Sequence, residues 1–134
     1  MNNKALNLLI LQIKNGFLAR RQKIQAPYSK IGVCILNILC QEGFILNYRV
    51  FYTLNSYAHI KYFEIFFSYS NGLSKIQELK QISTPGCRFY VTVEDLWRLR
   101  DVYSFYILST TKGVLTDKQA KILGVGGEVI LRIK

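Results

Sequence analysis

Residues 103–134 read YSFYILSTTKGVLTDKQAKILGVGGEVILRIK, and the order of signals in this stretch decides the fold class. Residues 103–108 form an apolar run rich in aromatic side chains, read as a strand. Three hydroxyls, a lysine and a glycine follow at Ser109, Thr110, Thr111, Lys112 and Gly113, read as a loop. Thr116 and Asp117 then open a helix over 117–123, which Gly124 closes. Past the Gly126-Gly127 pair, residues 128–133 return to a strand. This half therefore reads as mostly β with short helices. Together with the helices upstream it makes the chain α+β.

Working towards the N-terminus, residues 94–99 read as a short helix capped by Thr92, and residues 88–91 as a strand. Thr84-Pro85-Gly86 is a firm turn and sets a subdomain boundary, with residues 1–83 before it and 84–134 after. Residues 74–82 read as a short helix linking the two halves, after a turn at Asn71-Gly72. Residues 44–52 and 60–69 read as an antiparallel pair around a polar link at Asn55-Ser56. In the second of these, Phe63, Ile65, Phe67 and Tyr69 line one face at period two. Ser29 is placed to cap a helix whose apolar positions are Ile31, Cys34, Ile35, Ile38 and Leu39, with Gly43 as its stop. An extended stretch at 24–27 precedes it. Leu6, Leu9, Ile10, Ile13 and Phe17 mark a first helix, with Asn2 or Asn3 as cap and Asn15-Gly16 loosening its end. The N-terminal half is thus helix, strand, helix and antiparallel strands.

Half of the 134 residues are apolar, enough for a packed core. Eighteen Lys and Arg against eight Asp and Glu give a formal net charge of +10. That balance points to a polyanion: nucleic acid first, an anionic membrane second. The basic residues are scattered, so folding must assemble any patch. Cys34, Cys40 and Cys87 show neither CxxC nor zinc spacing and read as reduced, buried thiols in a reducing compartment. Residues 5–13 (ALNLLILQI) read as an amphipathic helix and not as a signal-peptide core, and no span is long enough to cross a bilayer. The many Ile, Asn, Lys, Tyr and Phe residues hint at an A+T-rich gene, as in many organelle genomes.

Hydroxyls, a cation and a free backbone turn are groups that hold a sugar-phosphate chain and read its 2′-OH. Ser109 to Gly113 supply all three, although an ordinary polar turn uses the same residues. Thr116-Asp117 fits a helix cap, or a helix start whose amides receive a phosphate. Gly126-Gly127 would bring backbone close to RNA while Glu128 accepts from a base amino group; a plain helix-to-strand turn is the alternative. Arg88 and Tyr90 alternate on one strand, where Tyr90 either stacks on a base or joins the core. Lys14, Arg20, Arg21 and Lys23, with Ser29-Lys30, fit either phosphate contacts along a groove or a solvated helix end. Catalysis has little support. His59 is the sole histidine, the carboxylates are dispersed, and no GxSxG, HExxH or phosphate-loop motif occurs. No metal-ligand spacing is present and no cofactor or small-molecule substrate is expected.

Set in order, Ile13-Lys14-Asn15-Gly16, Pro27-Tyr28-Ser29-Lys30, Glu42-Gly43-Phe44-Ile45, Ile82-Ser83-Thr84-Pro85-Gly86-Cys87-Arg88-Phe89-Tyr90 and the C-terminal signature through Gly124-Val125-Gly126-Gly127-Glu128 carry a resemblance. The chain resembles the bacterial-type small-subunit ribosomal protein eight (S-eight) family over almost its whole length. The resemblance implies two small α+β subdomains packed together, the second binding ribosomal RNA. It implies a structural component of the small subunit that binds the central domain of its rRNA, supports assembly and contacts neighbouring small-subunit proteins. It places the main RNA contact at Ser109, Thr110, Thr111, Lys112 and Gly113. Tyr90 and Gly126-Gly127-Glu128 would complete that surface, with Ser29 and Lys30 contributing from the N-terminal half.

The chain also departs from the family pattern. Thr84 stands before Pro85 where an arginine is usual, Val91 stands where a basic residue often follows the tyrosine, Thr111 replaces a serine, and a glycine-rich turn near 102–105 is absent. The composition makes a mitochondrial ribosome the first expectation for location, with plastid or bacterial cytoplasm as alternatives. Competing readings are a non-ribosomal basic RNA-binding or adaptor protein, and a small nuclease.

Overall fold

The computed structural model describes residues 4–55, 58–70, 72–98 and 104–134, which group into two compact units, Met1–Ile76 and Gln77–Lys134. The cap expected at Asn2 or Asn3, the link at Ser56, Asn71 of its turn, Leu99 at the helix end and the strand start at Tyr103 lie outside the described residues.

In the first unit, Leu6, Leu9, Ile10, Ile13 and Phe17 become the buried stripe of helix α1, Lys4–Leu18. Strand β1, Lys23–Pro27, alternates, with Ile24 and Ala26 turned inward. Ser29 has extended backbone, and its Oγ accepts from the Gly32 amide at 3.0 Å, which starts helix α2, Lys30–Gln41. Strands β2 (Ile45–Asn55) and β3 (Ala58–Phe67) pair antiparallel, and β1 adds to the other edge of β3. Phe63, Ile65 and Phe67 are buried on one sheet face, and both helices lie against that face. A Cβ at Gly16 would meet the Phe67 ring at 2.7 Å and Ile24 at 2.8 Å; one at Gly32 would meet Phe63 at 2.8 Å. Gly16 therefore does not loosen α1. It lies inside the helix, and its missing side chain lets the helix approach the sheet. The short strands β4 (Tyr69–Ser70) and β5 (Leu73–Ser74) form a further hairpin, and the Tyr69 phenol donates to the Arg21 carbonyl.

The second unit runs β6 (Leu79–Gln81), β7 (Tyr90–Val91), α3 (Val93–Arg98), β8 (Phe105–Thr110), β9 (Gly113–Thr116), α4 (Asp117–Leu123) and β10 (Gly127–Ile133). Its sheet has the order β6-β10-β8-β9, with β7 pairing the start of β10. The helix expected over 74–82 is not formed. Its residues pair with the last strand: Gln77 N donates to the Lys134 carbonyl at 2.8 Å and Ile82 N to Ile130 at 3.0 Å. The spacing of Ile76, Leu79 and Ile82 imitates a helical stripe, but in so short a segment ladder partners decide the conformation. This segment consequently groups with the second unit, so the division falls before Gln77 and not at Thr84.

Thr84-Pro85-Gly86 does turn, closed by reciprocal backbone bonds between Thr84 and Cys87 at 3.0 and 3.1 Å. Helix α4 has the ends its sequence dictates. Thr116 and Gln119 exchange side-chain-to-amide bonds in a capping box, and Gly124 adopts a left-handed φ of 70°. Thr92 and Asp95 do the same for α3, each bond 3.2 Å long. The helices pack through Leu96 and Ala120 on Leu108 and Val129, with Ile82, Val91, Tyr106 and Val125 around them. Burial of the thiols does not follow expectation: Cys34 and Cys87 are exposed. Cys40 is half-buried, and burial pushes its thiol up from the ordinary range.

Candidate nucleic-acid interface

The hydroxyl-rich stretch is a β-hairpin, not a loop. Strand β8 runs on through Thr110, β9 begins at Gly113, and the register pairs Ser109 with Val114 and Thr110 with Gly113. Only Thr111 and Lys112 form the connection. Gly113, at φ 109°, takes a conformation that a side chain resists. The turn is tied from within: the Thr110 hydroxyl donates to the Gly113 carbonyl at 2.7 Å and accepts from the Lys112 amide at 3.2 Å. Thr110 is thereby committed to shaping the hairpin, and its single hydroxyl proton is already used. Thr111 and Lys112 are exposed at the tip, and Lys112 has no ion pair among the described residues.

Strand β10 brings the other expected residues alongside. Glu128 lies opposite Ser109 on β8 and opposite Tyr90 on β7. Directly opposed residues of antiparallel strands share a face, so Tyr90, Glu128 and Ser109 form a row across three strands. Tyr90 is 68% exposed, which settles its position as surface and not core. Arg88 Nη1 binds Glu128 Oε1 at 3.1 Å. The pair holds both side chains beside the tyrosine, and the carboxylate can still accept at its other oxygen.

Gly126 and Gly127, expected to bring backbone close to RNA, stand where neighbouring strands crowd β10. A Cβ on Gly126 would collide with the Val91 carbonyl and lie 3.0 Å from Thr92 Cα; one on Gly127 would collide with the Ser109 carbonyl, 3.0 Å from its carbon. Their open sides face the neighbouring strands, and the glycines allow β7, β8 and β10 to close around the row.

One positioning residue escaped the sequence reading. Ser83 is buried, and its hydroxyl accepts from the Phe89 amide at 3.0 Å and donates to the Phe89 carbonyl at 3.4 Å. That carbonyl also accepts from Val129 N at 2.9 Å. Phe89 sits between Arg88 and Tyr90, so Ser83 fixes the segment that presents both. The only sequence signal was a small hydroxyl residue just before the Pro-Gly turn.

Ser29, Lys30 and Lys14 belong to the first unit. Ser29 is occupied as the α2 cap, while Lys30 and Lys14 are exposed at the start of α2 and on α1. Among the described residues no group of three or more His, Cys, Asp and Glu side chains is placed to hold a metal ion. No helix among them is long and apolar enough to cross a membrane.

Residues 5–133 match the sequence model of a family described as ribosomal protein S8. The chain is 38% identical over 125 residues to the small ribosomal subunit protein uS8 of Dictyoglomus thermophilum, covering 93% of this chain and 92% of that one. It is 36% identical over 127 residues to the protein of the same name from Pseudomonas fluorescens, covering 93% and 92%. Against that of Caulobacter vibrioides the identity is 35% over 131 residues, covering 98% and 97%.

Proposed function

The chain belongs to the ribosomal protein S8 family, bacterial type, and on that premise we propose that its second unit reads small-subunit ribosomal RNA through the row Tyr90–Glu128–Ser109 and the adjoining tip Thr111-Lys112. The protein is a structural component of the small ribosomal subunit and not an enzyme. The observation that carries the contact assignment is the alignment of an exposed ring, a carboxylate held by Arg88 and a hydroxyl on one sheet face. A ring stacks on a base, the carboxylate accepts an amino or 2′-hydroxyl proton, and short hydroxyls meet phosphate and ribose. Lys112 adds sequence-blind attraction. Thr110, Gly113, Gly126 and Gly127 act by shaping this surface. Lys14, Ser29 and Lys30 supply a separate contact or capping role in the first unit.

The RNA target within this reading is the central domain of small-subunit rRNA, with neighbouring small-subunit proteins as further partners. The Ile-, Asn-, Lys-, Tyr- and Phe-rich composition favours a mitochondrial ribosome. A salt-controlled titration against the central-domain helix, with a scrambled hairpin as control, tests the reading. At least tenfold preference for the helix is expected. Equal and steeply salt-dependent binding to both would leave a basic adaptor in its place.

A further inference from the structure

The charge surplus does not sit where the signature sits. The first unit carries nine Lys and Arg against two carboxylates, and the second carries nine against six. Of the two carboxylates in the first unit, Glu64 is already held by Arg49 at 3.1 Å, with Lys23 at 4.0 Å. The unit with little of the signature therefore has most of the attraction for a polyanion.

Within it, one cation is mounted between aromatic rings. Lys61 lies opposite Tyr52 in the β2–β3 hairpin, and its Nζ stands 5.2 Å from the Tyr52 ring centroid and 5.0 Å from that of Tyr28. Tyr28 is anchored from below by Phe63, with centroids 5.2 Å apart, and directly precedes Ser29-Lys30. Tyr52 is 62% exposed, so most of its ring is in solvent. Neither Lys61 nor Lys30 has an ion pair among the described residues. A ring with open area beside an unneutralised ammonium is the arrangement by which proteins hold an unpaired nucleotide: the base stacks and the phosphate meets the cation.

We propose that Tyr52, Lys61 and Tyr28 form a second RNA contact, specific for an unpaired nucleotide, in which a base stacks on Tyr52 and its phosphate is met by Lys61. The proposal rests on the reading of the chain as an RNA binder. It adds a single-strand contact to a surface in the other unit that reads a helix. The cation–π contacts hold Lys61 in one place before RNA arrives, which lowers the ordering cost of the phosphate contact.

The test is a titration of the full chain with a six-nucleotide single-stranded RNA and, separately, with a fully paired, blunt-ended RNA duplex of two annealed strands. Tyr52→Ala should weaken binding of the single strand at least fivefold and change binding of the duplex less than twofold. Tyr52→Phe should bind the single strand like the unsubstituted protein. Lys61→Ala should reduce the salt slope on the single strand by roughly 0.7, a readout that survives if the Ala variant at 52 folds poorly. Unchanged single-strand affinity for Tyr52→Ala, equal loss on both RNAs, or preference of the protein for an acidic peptide over the oligomer would each overturn the proposal. Loss of helix-over-scramble discrimination with the Tyr52 effect intact would instead count against the row on the second unit.

Discussion

Replacing Gly127 by alanine separates two roles that a glycine beside the proposed RNA-reading surface can have. The added methyl group would be driven into the Ser109 carbonyl, 3.0 Å from the carbonyl carbon and 3.0 Å from the Thr110 methyl group. The main obstacle is backbone inside a ladder, so no side-chain rotation relieves it. β10 must move away from β8 at the Glu128–Ser109 pair. Overpacking of this kind costs about 1–3 kcal/mol, and a weakened ladder bond adds about 1 kcal/mol. The sum, about 2–4 kcal/mol, is a large part of the roughly 5–15 kcal/mol that holds a domain folded. Urea unfolding followed by circular dichroism measures it. Gly86→Ala is the matched control, because a Cβ there meets nothing within 4 Å, and it should stay within about 0.5 kcal/mol of the parent. Cognate RNA affinity should fall with stability in Gly127→Ala. A variant as stable as the parent that loses only RNA binding would refute the strand-closure argument and restore direct approach of this backbone to RNA.

Tyr90→Ala should leave the unfolding midpoint nearly unchanged, since the side chain is exposed, while weakening cognate RNA binding by about 1–3 kcal/mol in a filter or anisotropy titration. Thr110→Val should cost about 1 kcal/mol of stability through its two turn bonds, whereas Thr111→Ala should be neutral in unfolding and show its loss only with RNA. The Thr92 amide and hydroxyl hold the Asp95 carboxyl below the ordinary carboxylate range. Its contribution to the α3 cap is therefore complete above about pH 4 and is lost as pH falls through the depressed folded value. Asp95→Asn should flatten the acid limb of the stability–pH curve, and an identical limb in both proteins would exclude this cap as its source.

How much of this was legible depends on whether the deciding interaction was local. Helix α4 was readable to the residue because Thr116, Gln119 and Gly124 terminate it with side chains and backbone of their own. Helix α2 was readable for the same reason through Ser29. The β2–β3 pair announced itself in the alternation of Phe63, Ile65 and Phe67. Strand β9 was missed because its four residues, Gly-Val-Leu-Thr, are too few to show an alternation and owe their conformation to β8. The segment around β6 was misread as helix because its partner lies some fifty residues downstream, beyond any local pattern. At the candidate site, the residue types in Tyr90, Glu128 and Ser109 were visible, but their alignment depends on a register across three strands. Likewise, nothing in a Thr-Thr-Lys-Gly string reveals that Thr110 bonds inward and Thr111 does not.

Strand β10 pairs with β6, β7 and β8, and it follows all of them in the chain. During synthesis these three strands emerge without the central member that joins them, and the row Tyr90–Glu128–Ser109 cannot exist until residues 127–133 clear the exit channel. The sheet β1-β3-β2 needs nothing beyond Phe67 and can close long before. The nascent protein can thus close its more cationic unit first, and the sheet that carries the row only after β10 has emerged.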